Sequence, residues 1–403
     1  MRWTSLALML LVGCGKTDSR VVIRFLEGPD NGGGWKDIIA KFEAANPEID
    51  VELVEGPAAT NTREDMYATE FLSGKPSFDV VYMDIIWVPK FASQGWLRAL
   101  DDLLPKSERD QFLPGDIQGS IYAGKLYRVP MRSDAGMLYF RSDLVLKPPE
   151  TFDDLVELAK KHQKPPELWG FVFQGRQYEG LVCNFLEVLW GFGGDVFDQN
   201  GAVILDRPEA VRALTWMKNL VGDVSPPGVN TYQEEESRHG FHEGRAVFMR
   251  NWPYAWTKAQ EADSPIRGKV GIVPMVHVPG QRSAATLGGW GFGISASARH
   301  PEAAWRFVRF ATEIEQQKIL HFKNGAIPTR KAAFDDPEIL KANPHYPRLF
   351  QVLLAARPRP VHPQYPMISD AMQVHLSAAL VGKESPEQAL SQAANEVRKI
   401  VGK

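Results

Sequence analysis

The sequence predicts an α/β protein with two domains. At 403 residues, the chain is long enough for two domains with substantial cores. Residues 21–83 show strand, helix, strand, helix and strand patterns in that order, which implies a parallel sheet with helices on its faces. A second run of helices and strands follows residues 129–140. We therefore expect two α/β domains between which the chain crosses more than once.

Composition narrows the class of protein and the class of partner. Hydrophobic residues make up 44% and charged residues 24% of the chain, as in ordinary soluble globular proteins. The formal net charge of −3 argues against nucleic acid as a partner, because no basic face is implied. The 11 Trp and 21 Phe residues are in keeping with an aromatic-lined binding surface.

The N-terminal residues follow the pattern of an export signal. Arg2 precedes an apolar run at residues 6–12, and Leu11-Val12-Gly13-Cys14 closes it. A small-residue site that ends in Cys is typical of a bacterial lipoprotein signal, in which the Cys becomes the lipidated first residue. The alternative is an ordinary cleaved signal with an incidental Cys. The run is too short to span a bilayer, so we expect a lipid anchor at Cys14 followed by a polar tether to residue 20.

The first domain begins with well-spaced apolar residues. Trp35, Ile38, Ile39 and Phe42 have the i, i+3, i+4, i+7 spacing of an amphipathic helix. The predicted elements are a strand at 21–26, a helix from Trp35 that stops before Pro47, a strand at 51–54, a helix at 62–72 with Thr62 as N-cap, and a strand at 78–83.

Polar residues follow each of these strands. Asp30 and Asn31 lie in the loop after the first strand, Arg63 opens the helix after the second, and Asp84 follows the third. Ligands bind at the carboxyl ends of parallel strands, so these residues are candidates for a binding edge. Each also has a structural explanation, since Asp84 could cap the next segment and Arg63 could form a surface ion pair.

Residues 129–140 read as two extended pieces separated by Ser133-Asp134-Ala135-Gly136, and we interpret them as the first crossover between domains. Asp134 could therefore bind ligand or only stabilise the turn. Further elements are predicted as helices at 152–162, 178–190, 208–221, 234–243, 301–312 and 386–401, and as strands at 170–174, 246–249, 270–275 and 285–294.

Two aromatic motifs indicate a binding cleft. Residues 250–256 place Trp252, Tyr254 and Trp256 at a strand-to-helix corner, where too few neighbours exist to bury three large rings. Residues 285–293 surround Trp290 with four glycines, which predicts close approach of backbone N–H groups and the indole to a ligand. Core packing at a bend is the simpler explanation for the first motif alone. Together, the motifs favour a platform for a sugar ring.

Six segments resemble the sugar-binding proteins of ABC importers, specifically the trehalose/maltose-binding branch, and the N-terminal LVGC resembles a lipoprotein lipobox. The likeness covers essentially the whole mature chain. The segments are FDVVYMDIIW (78–87), ELWGFVFQGRQYEGLVC (167–183), RNWPYAW (250–256), DSPIRGKVGIVPM (263–275), SAATLGGWGFGIS (283–295) and RPRPVHPQYP (357–366).

The resemblance implies a two-lobed, type II periplasmic-binding-protein clamshell with hinge crossovers. We expect a signal peptide at 1–13, a tether at 14–20, lobe 1 at 21–133 plus 286–335, and lobe 2 at 134–285 plus 336–403. The implied ligand contacts are Arg63, Asp84, Asp134, Trp252, Tyr254, Gly289, Trp290 and Arg359. Where trehalose-binding relatives carry a Glu in the first loop, this chain has Asn31, which leaves the exact disaccharide open.

The implied function is a non-enzymatic, lipid-anchored receptor in the periplasm or on the outer face of the cell membrane. It would be a monomer that binds a disaccharide such as trehalose, maltose, sucrose or glucosylglycerol and delivers it to ABC-importer permease subunits. No cofactor or metal is expected. His239 and His242, with Glu235, have helical ligand spacing, but a solvated helix face explains them better.

Two other classes of protein remain alternatives. A secreted glycoside hydrolase would also need sugar-stacking Trp residues and a carboxylate pair, for which Asp84 and Asp134 are candidates. It is disfavoured because nothing in the sequence suggests a carboxyl group held in an apolar pocket as a proton donor. A lipid-anchored interaction module is the third class, and the cleft-like Gly/Trp motifs speak against it.

Overall fold

The computed structural model describes residues 20–57, 60–74 and 77–402. Its strands are β1 (Val21–Glu27), β2 (Ile49–Glu55), β3 (Val80–Asp84), β4 (Ile121–Tyr122), β5 (Lys125–Leu126), β6 (Val129–Ala135), β7 (Met137–Arg141), β8 (Trp169–Val172), β9 (Ala246–Asn251), β10 (Val270–Val273), β11 (Ala285–Ile294), β12 (Ile327–Pro328) and β13 (Ala356–Arg357).

The α-helices surround these strands. They are α1 (Gly34–Ala45), α2 (Thr60–Leu72), α3 (Val88–Ser93), α4 (Lys106–Arg109), α5 (Pro114–Gln118), α6 (Phe152–His162), α7 (Glu179–Gly191), α8 (Pro208–Leu220), α9 (Glu234–His242), α10 (Tyr254–Ala259), α11 (Pro301–Ala311), α12 (Ile314–Asn324), α13 (Pro337–Ala342), α14 (Tyr346–Leu354), α15 (Tyr365–Leu380) and α16 (Pro386–Val401).

Helix boundaries follow the local signals closely, with one correction. The helix α16 begins after Ser385, whose hydroxyl accepts from the backbone N–H of Gln388 in a capping box, as predicted. The helix α2 begins at Thr60, so Thr62 lies inside its first turn and the prediction that it is the N-cap is wrong. The N-cap prediction failed because Ser, Thr and Asn all favour caps, and this segment offers several.

The first lobe is built around β11, all ten residues of which are buried. The sheet has the order β12-β6-β11-β13, and β3 also pairs with β11. The pairs of β11 with β3 and β6 are antiparallel. The predicted parallel sheet is therefore correct only in part: β1 and β2 pair in parallel, whereas β3 lies beside β1 but takes its ladder from β11.

The second lobe has its own sheet, in the order β10-β7-β9-β8. In this sheet β8 and β9 are parallel, and β7 runs antiparallel to both β9 and β10. The helix α7 packs beneath it, and all its residues except Glu179 are buried. Because an element buried all round lacks an amphipathic stripe, α7 lies in the core of the lobe.

The chain crosses between the lobes at three places. Between β6 and β7 it passes through Gly136, and between β10 and β11 it returns to the first sheet. Glu187 and Arg250 leave no room for a side chain at Gly136, because an added Cβ would lie 1.9 Å from Glu187 Oε1. The third crossing follows β13, which pairs with β11. This pairing places residues 356–357 in the first sheet and differs from our assignment of 336–403 to lobe 2.

Each lobe has a separate apolar core. The first contains Phe25, Tyr82 and Trp290, and the second contains Phe185, Phe248 and Leu376. A third cluster joins side chains of β7, β9 and β10 to helices α13 and α14. This third cluster also contains Ala135 of β6, Ala285 of β11 and Ile327 of β12, so it packs where the two lobes meet. A hinge between the two lobe cores would bend at this place.

Candidate ligand-binding cleft

A cavity of about 570 Å³ lies between the two lobes, and residues from both line it. This volume is within the usual range for small-molecule sites. From the first lobe the lining includes Asp84, Ile86, Arg132, Asp134, Gly289 and Trp290. From the second lobe and the third crossover it includes Tyr178, Glu179, Glu234, Trp252, Tyr254 and Arg359.

Strand register builds the first-lobe wall. Trp290 of β11 lies directly opposite Asp84 of β3 on one side and Arg132 of β6 on the other. Residues that face each other across an antiparallel pair share a face of the sheet, and so do residues two apart on one strand. Arg132, Asp134, Trp290 and Asp84 therefore form one polar and aromatic surface, although they are far apart in the sequence.

Trp290 is embedded in this wall. Only 5% of its surface is exposed, and Tyr82 stacks on its ring with 5.6 Å between ring centroids. Trp87 packs against it edge-on at 5.2 Å, and the guanidinium carbon of Arg63 lies 4.1 Å from the ring centroid. These neighbours cover much of the indole, so only a small part of the Trp290 surface remains for contact with a ligand.

The glycines beside Trp290 serve the sheet as well as the cavity. Gly289 has a φ of +123°, and an added Cβ would lie 2.6 Å from the carbonyl oxygen of Arg132. At Gly291 an added Cβ would lie 2.4 Å from the carbonyl oxygen of Val129. These glycines therefore allow close approach of β6 to β11, in addition to the close approach of a ligand that the sequence predicts.

The second-lobe wall is the aromatic corner after β9. The Trp252 ring is half-buried, and its Nε1 donates to Glu234 at 3.3 Å. The guanidinium carbon of Arg250 lies 4.2 Å from the Trp252 ring centroid. The Tyr254 hydroxyl donates to Glu235 at 2.6 Å. Trp256 lies elsewhere, where it stacks on His345 at 4.0 Å, so only two of the three corner rings face the cavity.

A buried ion pair holds Arg250 in place behind Trp252. Its Nε donates to Glu187 at 2.8 Å, and both side chains are fully buried. Glu187 also accepts from the backbone N–H of Thr286 at 3.1 Å, at the start of β11. The support of Trp252 is therefore connected to the second crossover.

Arg359 connects the two lobes across the cavity. Its Nη2 donates to Asp84 of the first lobe at 3.2 Å, and its Nη1 donates to Glu179 of the second at 2.9 Å. Glu179 also accepts hydrogen bonds from Tyr365 and Ser369. Asp84 further accepts from the backbone N–H of Ile86, so the expected capping role is present as well.

Two aspartates of the first lobe, Asp134 and Asp116, have raised pKa values. Burial raises the pKa of Asp134 to about 6, with the Arg132 charge opposing the rise and the Asp84 charge adding to it. Burial also raises the pKa of Asp116 to about 7, against the charge of Arg128. No local pattern in the sequence indicates these raised pKa values, because the burial of Asp134 depends on residues distant in the chain.

Two expected contacts do not line the cavity. Asn31 is exposed in a turn. Arg63 is buried, and it donates to Glu27 at 2.7 Å while it covers Trp290. Burial raises the pKa of Glu27, and Arg132 and Arg63 oppose the rise. The carboxylate next to Arg63 is thus Glu27 at the end of β1, and sequence reasoning overlooked it.

Sequence reasoning also missed several residues that line the cavity. The charged and phenolic ones among them are Arg132, Tyr178, Glu179 and Glu234. Arg132 was missed because the sequence placed Asp134 between two extended pieces, whereas β6 extends to Ala135, so that residues 132 and 134 share one face. The other three lie next to or within helices whose facing depends on tertiary packing, so no local pattern would have revealed them.

Two further expectations concern other parts of the chain. Cys14, the signal peptide and nearly all of the tether lie outside the described residues. Glu235 pairs with Arg238, and among the described residues no group of three or more His, Cys, Asp or Glu side chains is placed to hold a metal ion.

Comparison with known proteins decides the family. Residues 27–318 match the family of bacterial extracellular solute-binding proteins. A probable ABC transporter-binding protein of Deinococcus radiodurans is 35% identical over 88% of this chain and 87% of its own length. The chain belongs to the bacterial extracellular solute-binding proteins.

Other members of the solute-binding family extend the likeness to structure. The maltose-bound structure of MalE3 from T. maritima superposes with a TM-score of 0.86 and 41% identity, over 94% of this chain and 99% of that one. The maltotriose-binding protein of Pyrococcus abyssi is 29% identical over 63% of this chain and 55% of its own length. The superposition on MalE3 confirms the two-lobed periplasmic-binding-protein fold.

The family also bears on the other expectations. A solute-binding protein is a carrier, so family membership favours a non-enzyme and gives no support to the hydrolase alternative. Extracellular location is a property of the family as described. In the part of the chain that the structure covers, no helix has the length and apolar character needed to cross a bilayer.

Proposed function

We propose that this solute-binding protein binds a disaccharide or related α-glucoside between its lobes for an ABC sugar importer. The observation that carries the proposal is the interlobe cavity, where carboxylates and arginines meet three aromatic side chains from the second lobe, Tyr178, Trp252 and Tyr254. Carboxylates accept hydrogen bonds from neighbouring hydroxyls, Arg donates two parallel bonds, and aromatic rings cover the apolar face of a sugar.

Similarity to known sugar-binding proteins supports this choice of ligand. The structure of MalE3 contains bound maltose, and MalE3 is similar to this protein over nearly the whole length of both chains. A relative from Pyrococcus abyssi is named for maltotriose. The candidate ligands are therefore trehalose, maltose, sucrose and glucosylglycerol.

Each cavity residue has a proposed role. Asp84 and Asp134 accept from sugar hydroxyls, while Arg359 donates and at the same time connects the lobes. Trp252 stacks on the sugar and Tyr254 borders it, whereas Gly289 and Trp290 form the opposite wall. Arg63 acts behind this wall, where it supports Trp290. Asn31 contacts the ligand only if its turn moves toward the cavity.

Binding and lobe closure should be one event. Neither lobe completes the site, so a sugar that contacts both favours the closed state. Small-angle X-ray scattering should show a smaller radius of gyration with saturating ligand than without it. A tightly bound sugar with an unchanged radius would contradict closure.

A ligand panel tests the function directly. Thermal unfolding should be measured with trehalose, maltose, sucrose, glucosylglycerol and, as a control, an amino acid mixture. A ligand that binds only the folded state raises the melting temperature, by an amount that grows with its concentration relative to the Kd. Titration calorimetry then gives the Kd, and the same samples should release no glucose. No shift with any sugar would contradict the proposal.

We also propose that Cys14 carries the lipid anchor, so that a monomer is displayed in the periplasm or on the outer face of the cell membrane near its permease. The Leu11–Cys14 motif supports this. Mass spectrometry of membrane-extracted protein should find acyl groups on a peptide that begins at Cys14. An unmodified N-terminus at another residue would contradict the proposal.

A further inference from the structure

We propose that Arg132 is a direct ligand contact, which donates from its guanidinium to neighbouring oxygens of an uncharged sugar while Asp134 accepts from the same sugar. This inference rests on the proposed sugar-binding function and adds to it a residue that sets specificity.

Register places Arg132 in the centre of the first-lobe wall. It lies directly opposite Trp290 on β11 and opposite Pro328 on β12. Asp134 follows two residues later on the same face of β6, so both side chains belong to the cavity surface. The guanidinium carbon of Arg132 is 5.3 Å from the Trp290 ring centroid. The β-sheet therefore presents one donor and one acceptor side by side at the ligand position.

Arg132 differs from the other arginines of the cleft in having no protein partner. Arg63 is paired with Glu27, Arg250 with Glu187, and Arg359 with both Asp84 and Glu179. The Arg132 side chain makes no hydrogen bond and no ion pair within 4.0 Å with another described residue, and its buried Nε has no acceptor. Buried polar groups are nearly always hydrogen-bonded, so an acceptor from the ligand is the natural partner.

Asp134 is also unengaged. Its carboxylate accepts no hydrogen bond from a described residue, although it faces the cavity beside Arg132. A planar guanidinium donates two parallel bonds, which matches a pair of adjacent sugar oxygens, and the carboxylate accepts from hydroxyl hydrogens. Arg132 and Asp134 can therefore read the orientation of neighbouring hydroxyls.

The surrounding charge favours an uncharged ligand. Asp84 and Asp134 line the cavity on the first-lobe side, and Glu179 and Glu234 line it on the other. Against these four carboxylates stand two arginines, Arg132 and Arg359. An anionic sugar would meet more negative than positive charge, and like charges in a partly buried site repel strongly.

The test compares Arg132→Met and Arg132→Lys with the wild type by titration calorimetry, with maltose as the probe, or trehalose if maltose gives no heat. We expect Arg132→Met to weaken binding at least tenfold and still to fold, because the Arg132 side chain donates no hydrogen bond to any other residue that the structure describes. Its melting temperature should fall somewhat, because the Arg132 charge opposes the burial cost of the Glu27 and Asp134 carboxylates. Arg132→Lys should recover part of the affinity. The matched control Arg24→Met, on the exposed face of β1, should bind as the wild type does.

Monodeoxy derivatives of the same disaccharide separate contact from structure. Removal of the contacted hydroxyl should cost the wild type about as much as Arg132→Met does, and should cost the variant almost nothing further. A merely structural role would weaken every derivative equally, and that result overturns the proposal. If Arg132→Met fails to fold, the same comparison of monodeoxy derivatives can be made with Arg132→Lys.

The remaining outcomes are distinct. If the wild type binds the disaccharide and Arg132→Met binds it within twofold, the Arg132 proposal is wrong while the function stands. If the wild type binds no sugar of the panel, both proposals are wrong. If a sugar phosphate or uronate binds the wild type more tightly than any neutral sugar, the assignment to an uncharged ligand is overturned.

Discussion

The two tryptophans of the cleft are held in different ways. Trp290 lies in the middle of a ten-residue buried strand, with Tyr82, Trp87 and Arg63 around it, and belongs to the first-lobe core. Trp252 lies just beyond the end of a strand, half-buried, with Arg250 against its ring. Both face the same cavity, yet one is mainly part of the fold and the other mainly part of the site.

This difference shows that the two walls of the cavity can have different roles, one in stability and one in ligand contact. A wall built from a central strand is rigid because its register is fixed by neighbours on both sides. A wall built at a corner has fewer neighbours, so more of its surface remains for the ligand. We therefore expect substitution of Trp290 to affect mainly stability and substitution of Trp252 to affect mainly affinity.

The largest effect should come from Trp290→Ala. Loss of a buried Trp typically lowers the free energy of unfolding by about 3–5 kcal/mol, and here Arg63 also loses the ring beneath it. Urea unfolding of the unliganded protein measures this change. A variant that unfolds like the wild type but has lost sugar binding would show that Trp290 belongs to the site rather than to the core.

Trp252→Ala should weaken sugar binding roughly tenfold to a hundredfold, since a stacked aromatic ring contributes beyond its buried area. Its stability should fall much less than that of Trp290→Ala, because its ring is only half-buried. Titration calorimetry and urea unfolding on the same sample separate the two effects. Equal losses of stability in both variants would show that Trp252 and Trp290 are equally part of the core.

Acid should weaken ligand binding through Asp134, while the same proton stabilises the fold. The pKa of Asp134 is raised from 3.8 to about 6, so the folded protein holds this proton more tightly than the unfolded chain does. Its contribution to stability is therefore present below about pH 4 and is lost as the pH rises through 6. Ligand affinity runs the other way, because only the ionised carboxylate accepts fully.

From these values, affinity should be about tenfold lower at pH 5 than at pH 7, as one unit below the pKa leaves about a tenth of the group ionised. The charged groups that face Asp134 are Asp84 and Arg132. The control is Asp134→Asn, which removes the titrating carboxyl group and should bind weakly at both pH values. Asp116 titrates nearby, with a pKa of about 7. If Asp134→Asn shows the same pH dependence of affinity as the wild type, the effect belongs to Asp116 rather than to Asp134.

The smallest effect should come from Tyr254→Phe in the second wall. The hydroxyl donates to Glu235 at the exposed rim, and such bonds contribute at most about 1 kcal/mol. We expect sugar affinity to fall less than threefold and stability to be nearly unchanged. A loss as large as that of Trp252→Ala would mean that the hydroxyl, rather than the ring, contacts the sugar.

Much of the fold was accessible from the sequence. Helical spacing in Trp35–Phe42, the Ser385 cap and the buried run at 285–294 each depend on neighbours in the chain, so their elements were predicted to within a few residues. The aromatic corner and the crossover near Asp134 were also predicted. Chemistry and local pattern suffice there because capping, amphipathicity and turn formation are short-range effects.

Tertiary structure alone decided which side chains meet. The pairing of β3 with β11 made the first sheet mixed rather than parallel, and it set Asp84 opposite Trp290. Packing also placed Glu27 on Arg63, and Arg359 between Asp84 and Glu179. Register and burial are determined by residues distant in the sequence, and these two quantities fix the partners, the pKa values and the free guanidinium of Arg132.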